Sequence, residues 1–297
     1  MAAGLDSVTV PPQPAAHAKP RENDTVPLEN LCDSSLVDPT LPSHARAQEL
    51  FDRTADHYQA RSELKVSSFS SLIFQRRIEI VLRFLDRIES PGRVLDYGMG
   101  PAVFGRACVD RGLGYLGIDI SPVMVQHARD MNLRAAEYEV GDLRSLGNYR
   151  NQMDGVLAIG LLDYLEKPWE GIAALSDCVK PGGVLVLSFR NRYSVPRILR
   201  DVAKVFAHPF RRQTDRRAFF SPVHERSFDS ASQLVPALRK MNYHQVETAY
   251  FNCSPLFFDF PMPPRLWERW RQWDGAVASP RASFLCSGGV VIARKQP

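Results

Sequence analysis

The chain has 297 residues, 44% hydrophobic and 24% charged, with a net charge of +4. These values allow a packed core, exclude a low-complexity chain and argue against a nucleic-acid partner recruited by charge alone. Five scattered cysteines with no CxxC pair argue against a disulfide framework or a structural zinc site, and Cys108 and Cys286 read as small buried hydrophobes. No run approaches the roughly 18 apolar residues that a bilayer crossing requires. Asp6, Pro11, Pro12 and Pro14 fall where a signal peptide would hold its apolar stretch, so a cytoplasmic protein is expected.

Residues 1–42 are rich in Pro, Ala and polar residues without periodicity and are expected to be a disordered tail. Residues 43–297 then form the folded part. Leu50, Phe51, Ala55 and Tyr58 share one face of a predicted helix that starts near Ala45. A second predicted helix runs from Ser68 to Ile88, with Leu72, Ile73, Ile80, Val81, Phe84, Leu85 and Ile88 as its stripe. Pro91-Gly92 ends it.

From Arg93 the pattern changes to short apolar runs alternating with helices. Predicted strands cover Val94 to Tyr97, Tyr115 to Asp119, Glu137 to Val140, Gly155 to Ile159 and Val184 to Phe189. Helices are predicted for Val103 to Arg111, from Pro122 to Asn132 with Ser121 as N-cap, and from Pro168 to Val179. After a basic stretch, Ser230 to Met241 reads as helix, and His244 to Tyr250 and Gly289 to Arg294 as late strands. Such alternation implies an α/β fold with a mostly parallel sheet covered by helices on both faces.

Asp96-Tyr97-Gly98-Met99-Gly100-Pro101-Ala102 lies where the first strand feeds a helix. Glycines there let the backbone turn sharply and approach a ligand. The G-x-G-x-x-G dinucleotide fingerprint fails, because Val103 stands where its last glycine belongs. The segment resembles instead the D-x-G-x-G-x-G signature of class I S-adenosylmethionine-dependent methyltransferases, with Ala102 in place of the third glycine. Asp119, Gly141-Asp142-Leu143 and Lys180-Pro181-Gly182-Gly183-Val184 match further family segments in order.

The resemblance covers residues 93–189 and implies a Rossmann-like, seven-stranded sheet, an N-terminal helical cap (43–90), a cofactor-binding core and S-adenosyl-L-methionine as cofactor. It implies that Gly98 and Gly100 cradle the cofactor and that Asp119, with Ile120 beside it, holds the ribose hydroxyls. A carboxylate can accept two hydrogen bonds from a cis-diol. Asp142 and Leu143 would face the adenine. Asp96 is expected to organise the turn through backbone N–H groups and to reach the methionine end. Phe51 to Tyr58 resembles the family's entry segment, with Tyr58 lining the site, and Arg76 or its neighbour Arg77 would meet the methionine carboxylate.

Methyl transfer needs alignment and exclusion of water more than a fixed catalytic set. Tyr164, after the fourth strand, and His224 are the catalytic candidates, with Tyr193 and His208 behind them, and no metal-ligand cluster stands out. The segment Gly160 to Leu165 lacks the Asn/Asp-Pro-Pro-Tyr motif of nucleic-acid and protein amide methyltransferases, which leaves a small-molecule or lipid-like acceptor as the leading expectation. An RNA methyltransferase, an aminopropyl transferase and a non-catalytic cofactor-binding scaffold are the alternatives.

Residues 190–226 hold ten Arg or Lys against three acids. Within them Ile198, Leu199, Val202, Val205 and Phe206 form one helical stripe beside Arg197, Arg200 and Lys204. Leu266, Trp267, Trp270 and Trp273 cluster in the remaining region, 227–297. Three readings stand for these features: a basic lid that buries its stripe, with the tryptophans in the core, a peripheral membrane contact for a lipid-like acceptor, or a site for an anionic soluble substrate.

Overall fold

The computed structural model describes residues 41–62, 69–199, 202, 231–253 and 263–297. The expected tail therefore lies outside the described residues except for 41 and 42, and so do His208, His224 and most of the basic segment.

The strands are β1 (Arg93–Tyr97), β2 (Gly114–Asp119), β3 (Ala136–Val140), β4 (Met153–Ala158), β5 (Val179–Arg190), β6 (Tyr243–Phe251) and β7 (Gly288–Lys295). They form one seven-stranded sheet in the order β3-β2-β1-β4-β5-β7-β6. The first five pair in parallel, and β7 runs antiparallel between β5 and β6. Central strands β1 and β2 are buried on both faces, with only Arg93 and Gly114 at their starts partly exposed. Edge strand β3 keeps Glu137 and Glu139 in its AEYEV sequence and is largely open to solvent.

The helices are α1 (Ser43–Ser62), α2 (Phe69–Leu85), α3 (Gly105–Val109), α4 (Pro122–Asp130), α5 (Pro168–Cys178), α6 (Ala231–Lys240) and α7 (Pro264–Val277). One face of the sheet packs Leu95, Leu116, Ile118 and Leu187 against Ile172 and Leu175 of α5 and Leu234 and Leu238 of α6. The other packs Val94, Tyr115, Leu157 and Ile292 against Val81, Phe84 and Leu85 of α2, Cys108 of α3 and Val125 of α4. Helix α2 thus belongs to the core, which corrects the grouping of both N-terminal helices as a cap. Its stripe is wide enough to be covered by strands. Helix α1 instead contacts α4 and the 3-10 turn Leu162–Tyr164.

Several local expectations change. The helix expected from Val103 to Arg111 spans only Gly105–Val109, and Ala102 just before the expected start takes a left-handed φ of 49°. Strand β5 begins early, at Val179, and bulges: Met153 pairs with Val179 but Gly155 with Val184. Gly182 (φ 78°) provides the extra turn. Ser121 caps α4 as expected, accepting the Met124 N–H at 3.1 Å. Cys253 and Cys286 form a disulfide, contrary to the reading of Cys286 as a free hydrophobe. They are 33 residues apart, and the antiparallel register of β6 and β7, invisible in spacing, brings them opposite each other. The tryptophans of α7 are not core: Trp273 is 41% exposed, and Trp267 and Trp270 are half-buried.

Candidate functional site

The parallel strands β1, β2 and β4 end on one edge of the sheet, and the residues singled out in the sequence gather there. At the end of β1 the chain passes through Gly98 (φ 71°), Gly100 (φ 53°) and Ala102 (φ 49°), three left-handed residues at alternate positions. A Cβ on Gly98 would lie 2.8 Å from Leu161 Cδ1, so the glycine is required by space as well as by φ. Gly100 faces open space. The amides of Gly98 and Met99 donate to the Ile118 carbonyl at 2.8 and 3.3 Å. These bonds hold the loop against the end of β2.

Asp119 closes the other side of this cradle. It is 6% exposed, and its two carboxylate oxygens accept from Gly100 N at 2.8 Å and Ser121 N at 2.9 Å. Burial raises its carboxyl above the usual range, while the Ser121 and Gly100 amides oppose the shift. Each oxygen retains a further lone pair for a ligand hydroxyl. Ile120 follows, half-buried, and the next residue, Ser121, donates its hydroxyl to Asp52 of α1 at 2.5 Å. Thus α1 reaches the loop that follows β2.

Asp96 departs from expectation. Its carboxyl accepts from the Tyr115 hydroxyl at 2.7 Å, whereas the loop amides bond elsewhere. Burial pushes its pKa up to about 7, with the Tyr115 hydrogen bond opposing and the Asp119 charge adding. It is a buried group below the loop, placed there because alternate β1 side chains face the α2 side. Tyr97, on the opposite face, was not anticipated. Burial first, then the charges of Asp142 and Asp119, raise its hydroxyl pKa. The x of D-x-G carries no sequence signal of such a role.

Asp142 follows β3, and the Gly141 amide before it donates to the Asp119 carbonyl at 2.9 Å. Its carboxylate accepts from Arg144 Nε and Nη2 at 2.9 and 2.7 Å, which holds its pKa below the usual range. Leu143 turns inward and packs on the core.

The far side of the site is built by the ends of β4 and β5. Gly160 donates its amide to Ser188 Oγ at 2.6 Å, and a Cβ there would meet Arg77 Nη1 at 2.9 Å. Arg77 is therefore the arginine of α2 at this edge, and it lies over the Phe74 ring at 5.0 Å. Arg76, the residue singled out for a carboxylate, points the other way, 100° around the helix. It pairs with Glu79 and with the buried Asp274 of α7 (Nε to Oδ2, 3.3 Å).

Tyr164 and Tyr58 do come together. The Tyr164 and Phe51 rings pack edge-on at 5.0 Å, and Phe51 packs on Tyr58 at 5.8 Å. Burial, then the neighbouring Tyr58 hydroxyl, pushes the Tyr164 pKa well above that of a free phenol. At neutral pH Tyr164 is a hydrogen-bonding and packing group, which disfavours the base reading. Tyr193 stands 60% exposed.

The comparisons with known proteins agree with this architecture. A family model described as a methyltransferase domain matches residues 69–248. The chain belongs to that family. Class I members use S-adenosylmethionine, and the sheet order and Gly-rich turn found here are theirs. Over 111 residues the chain is 32% identical to a ubiquinone biosynthesis O-methyltransferase of Xanthomonas campestris pv. campestris, covering 36% of this chain and 46% of that protein. The chain thus spans about half the length of the curated relatives it matches. Among solved structures it is similar in fold to magnesium protoporphyrin IX methyltransferase from Synechocystis PCC 6803 with bound S-adenosylhomocysteine. That match has TM-score 0.57 and 15% identity, over 86% of this chain and 100% of that one. It is also similar to phosphoethanolamine N-methyltransferase 2 of Haemonchus contortus, with TM-score 0.56 and 16% identity over 87% of this chain and 61% of that one.

Proposed function

We propose that this methyltransferase binds S-adenosylmethionine across the ends of β1, β2 and β3 and transfers its methyl group to the oxygen or nitrogen of a small-molecule acceptor held by the ends of β4 and β5. The cofactor supplies an electrophilic methyl on a sulfonium, and the chain's residues bind, align and exclude water. Gly98 and Gly100 would let the backbone approach the cofactor, Asp119 would accept from the ribose hydroxyls, and Asp142 and Leu143 would flank the adenine. Arg77, rather than Arg76, would meet the carboxylate. Helix α1, with Asp52 near the ribose side and Phe51 and Tyr58 near the acceptor side, would cap the site.

One observation carries this reading: a buried carboxylate at the end of β2 bonded to the amide of the Gly-rich loop. The test is calorimetric titration of the protein with S-adenosylmethionine, S-adenosylhomocysteine and, as control, NAD. Wild type should bind both sulfur ligands and not NAD. Asp119→Ala should weaken binding by about 10- to 100-fold, for the loss of charged hydrogen bonds worth about 1.5–3 kcal/mol. Failure of wild type to bind either ligand would overturn the reading.

A lipid-like acceptor met at a membrane surface is the second reading. It is favoured by the exposure of the predicted stripe: Ile198 is 46%, Leu199 49% and Val202 46% exposed, which weighs against a stripe buried beneath a lid. Co-sedimentation with vesicles containing anionic lipid, lost in Ile198→Asp/Leu199→Asp, is its check.

A further inference from the structure

We infer that Asp163 is the group that takes the acceptor's hydrogen, and that the acceptor presents it from a hydroxyl on a flat ring. This deepens the proposed methyl transfer and rests on it.

Asp163 is the middle residue of the 3-10 turn Leu162–Tyr164 that follows β4. The turn is held on three sides. Leu161 touches the position a Cβ would take on Gly98, Gly160 is bonded to Ser188 of β5, and Tyr164 is packed under Phe51 of α1. Cofactor loop, acceptor-side strands and α1 therefore all converge on this turn.

The Asp163 side chain is 9% exposed, which is unusual for a carboxylate without full pairing. Its Oδ2 forms an ion pair with Nε of Arg190, the last residue of β5, at 2.5 Å. Its Oδ1 is buried and has no hydrogen-bond partner among the described residues. Arg190 thus holds one of the two carboxylate oxygens. The second oxygen is left as an acceptor shielded from water, and buried polar atoms of this kind need a partner supplied from outside the fold.

What can supply it follows from the walls. Phe51, Tyr58 and Tyr164 present aromatic surface beside the turn, with ring contacts of 5.0 and 5.8 Å between them. Aromatic surface next to one charged acceptor atom suits a planar ring carrying a hydroxyl. Tyr164 is a poor base, because its own proton is held tightly. In the reaction the hydroxyl O–H bond breaks and its proton passes to Asp163 Oδ1. The freed electron pair of the oxygen bonds the methyl carbon, and the electrons of the broken carbon–sulfur bond stay on the sulfur of the departing thioether. Net charge is conserved, since the sulfonium loses its positive charge as the carboxylate loses its negative one.

The test uses binding, so it does not depend on finding the natural acceptor. The S-adenosylhomocysteine-loaded protein is titrated with a series of substituted phenols of increasing acidity, at a pH where all remain protonated. Wild type should bind them with an affinity that rises along the series, because a carboxylate acceptor favours the better donor. Asp163→Asn should bind the most acidic phenol at least about 10-fold more weakly and lose the trend, with S-adenosylhomocysteine affinity kept within about 2-fold. Arg190→Gln separates this role from a structural one. It breaks the same ion pair but keeps the carboxylate, so the trend should persist. Absence of phenol binding to the loaded wild type, a trend unchanged in Asp163→Asn, or equal loss in both variants overturns the inference. Failure of wild type to bind S-adenosylhomocysteine would instead overturn the proposed function.

Discussion

The two ends of the site are built from different materials. At the cofactor end, the partners are close in the chain and mostly backbone: Gly100 N to Asp119, Gly98 N to Ile118 O, Gly141 N to Asp119 O. At the other end, Asp163 of the turn after β4 meets Arg190 of β5, and beyond the site Arg76 meets Asp274, 198 residues apart, and Cys253 meets Cys286. A backbone cradle is fixed by strand order and tolerates little variation. A set of side-chain bridges can be rewired without disturbing the sheet, and that is where a family with one cofactor and many acceptors has room to diverge.

The difference can be tested by substitution. Outside the site, Asp274→Ala should be the most costly to stability. It removes the partner of the Cys253 N–H (2.7 Å) and leaves the buried Arg76 without its acid on α7. About 3 kcal/mol is expected by chemical denaturation, with the affinity for S-adenosylhomocysteine unchanged. A large loss of cofactor affinity would show that this bridge and the site are not independent.

At the cofactor end, Asp96→Asn should reveal a pH dependence. The folded carboxyl is raised to about 7 from 3.8, so between these values the folded state holds a proton that the unfolded chain has released. Stability from this group is complete below about pH 4 and falls as pH rises toward 7. Thermal melts of ligand-free protein at pH 5.5 and 7.5 should show wild type losing on the order of 2 kcal/mol relative to Asp96→Asn. Parallel behaviour of the two proteins would mean that Asp96 is not held protonated.

Smaller still is Ala102→Gly. Ala102 is left-handed at φ 49°, where glycine is unstrained, so the variant should be more stable by up to about 1 kcal/mol. Least of all, Arg144→Ala should leave the melting temperature within about 1 °C, because Arg144 is 92% exposed and its pairing with Asp142 is a surface contact. Its effect belongs in ligand affinity if Asp142 faces the adenine.

The ends of β1, β2 and β3 were the part legible in the sequence. Glycine punctuation, strand periodicity and the spacing from Asp96 to Asp119 and Asp142 are local, and local backbone geometry is what a sequence pattern encodes most directly. Even there, which polar atoms would meet depended on the sheet. Asp96 bonds Tyr115 because the parallel register of β1 and β2 sets the two on one face. The rest became legible only once the chain was folded. Arg76 and Arg77 are indistinguishable as letters, and a 100° rotation along α2 sends one to Asp274 and the other to Gly160. The tryptophans of α7 read as core because their spacing is helical, yet periodicity shows that a helix has an apolar face, not that anything covers it. Asp163 had no motif to announce it. Its isolation from water, its bond to Arg190 and its unsatisfied oxygen arise only when the ends of β4 and β5 and the face of α1 are brought together.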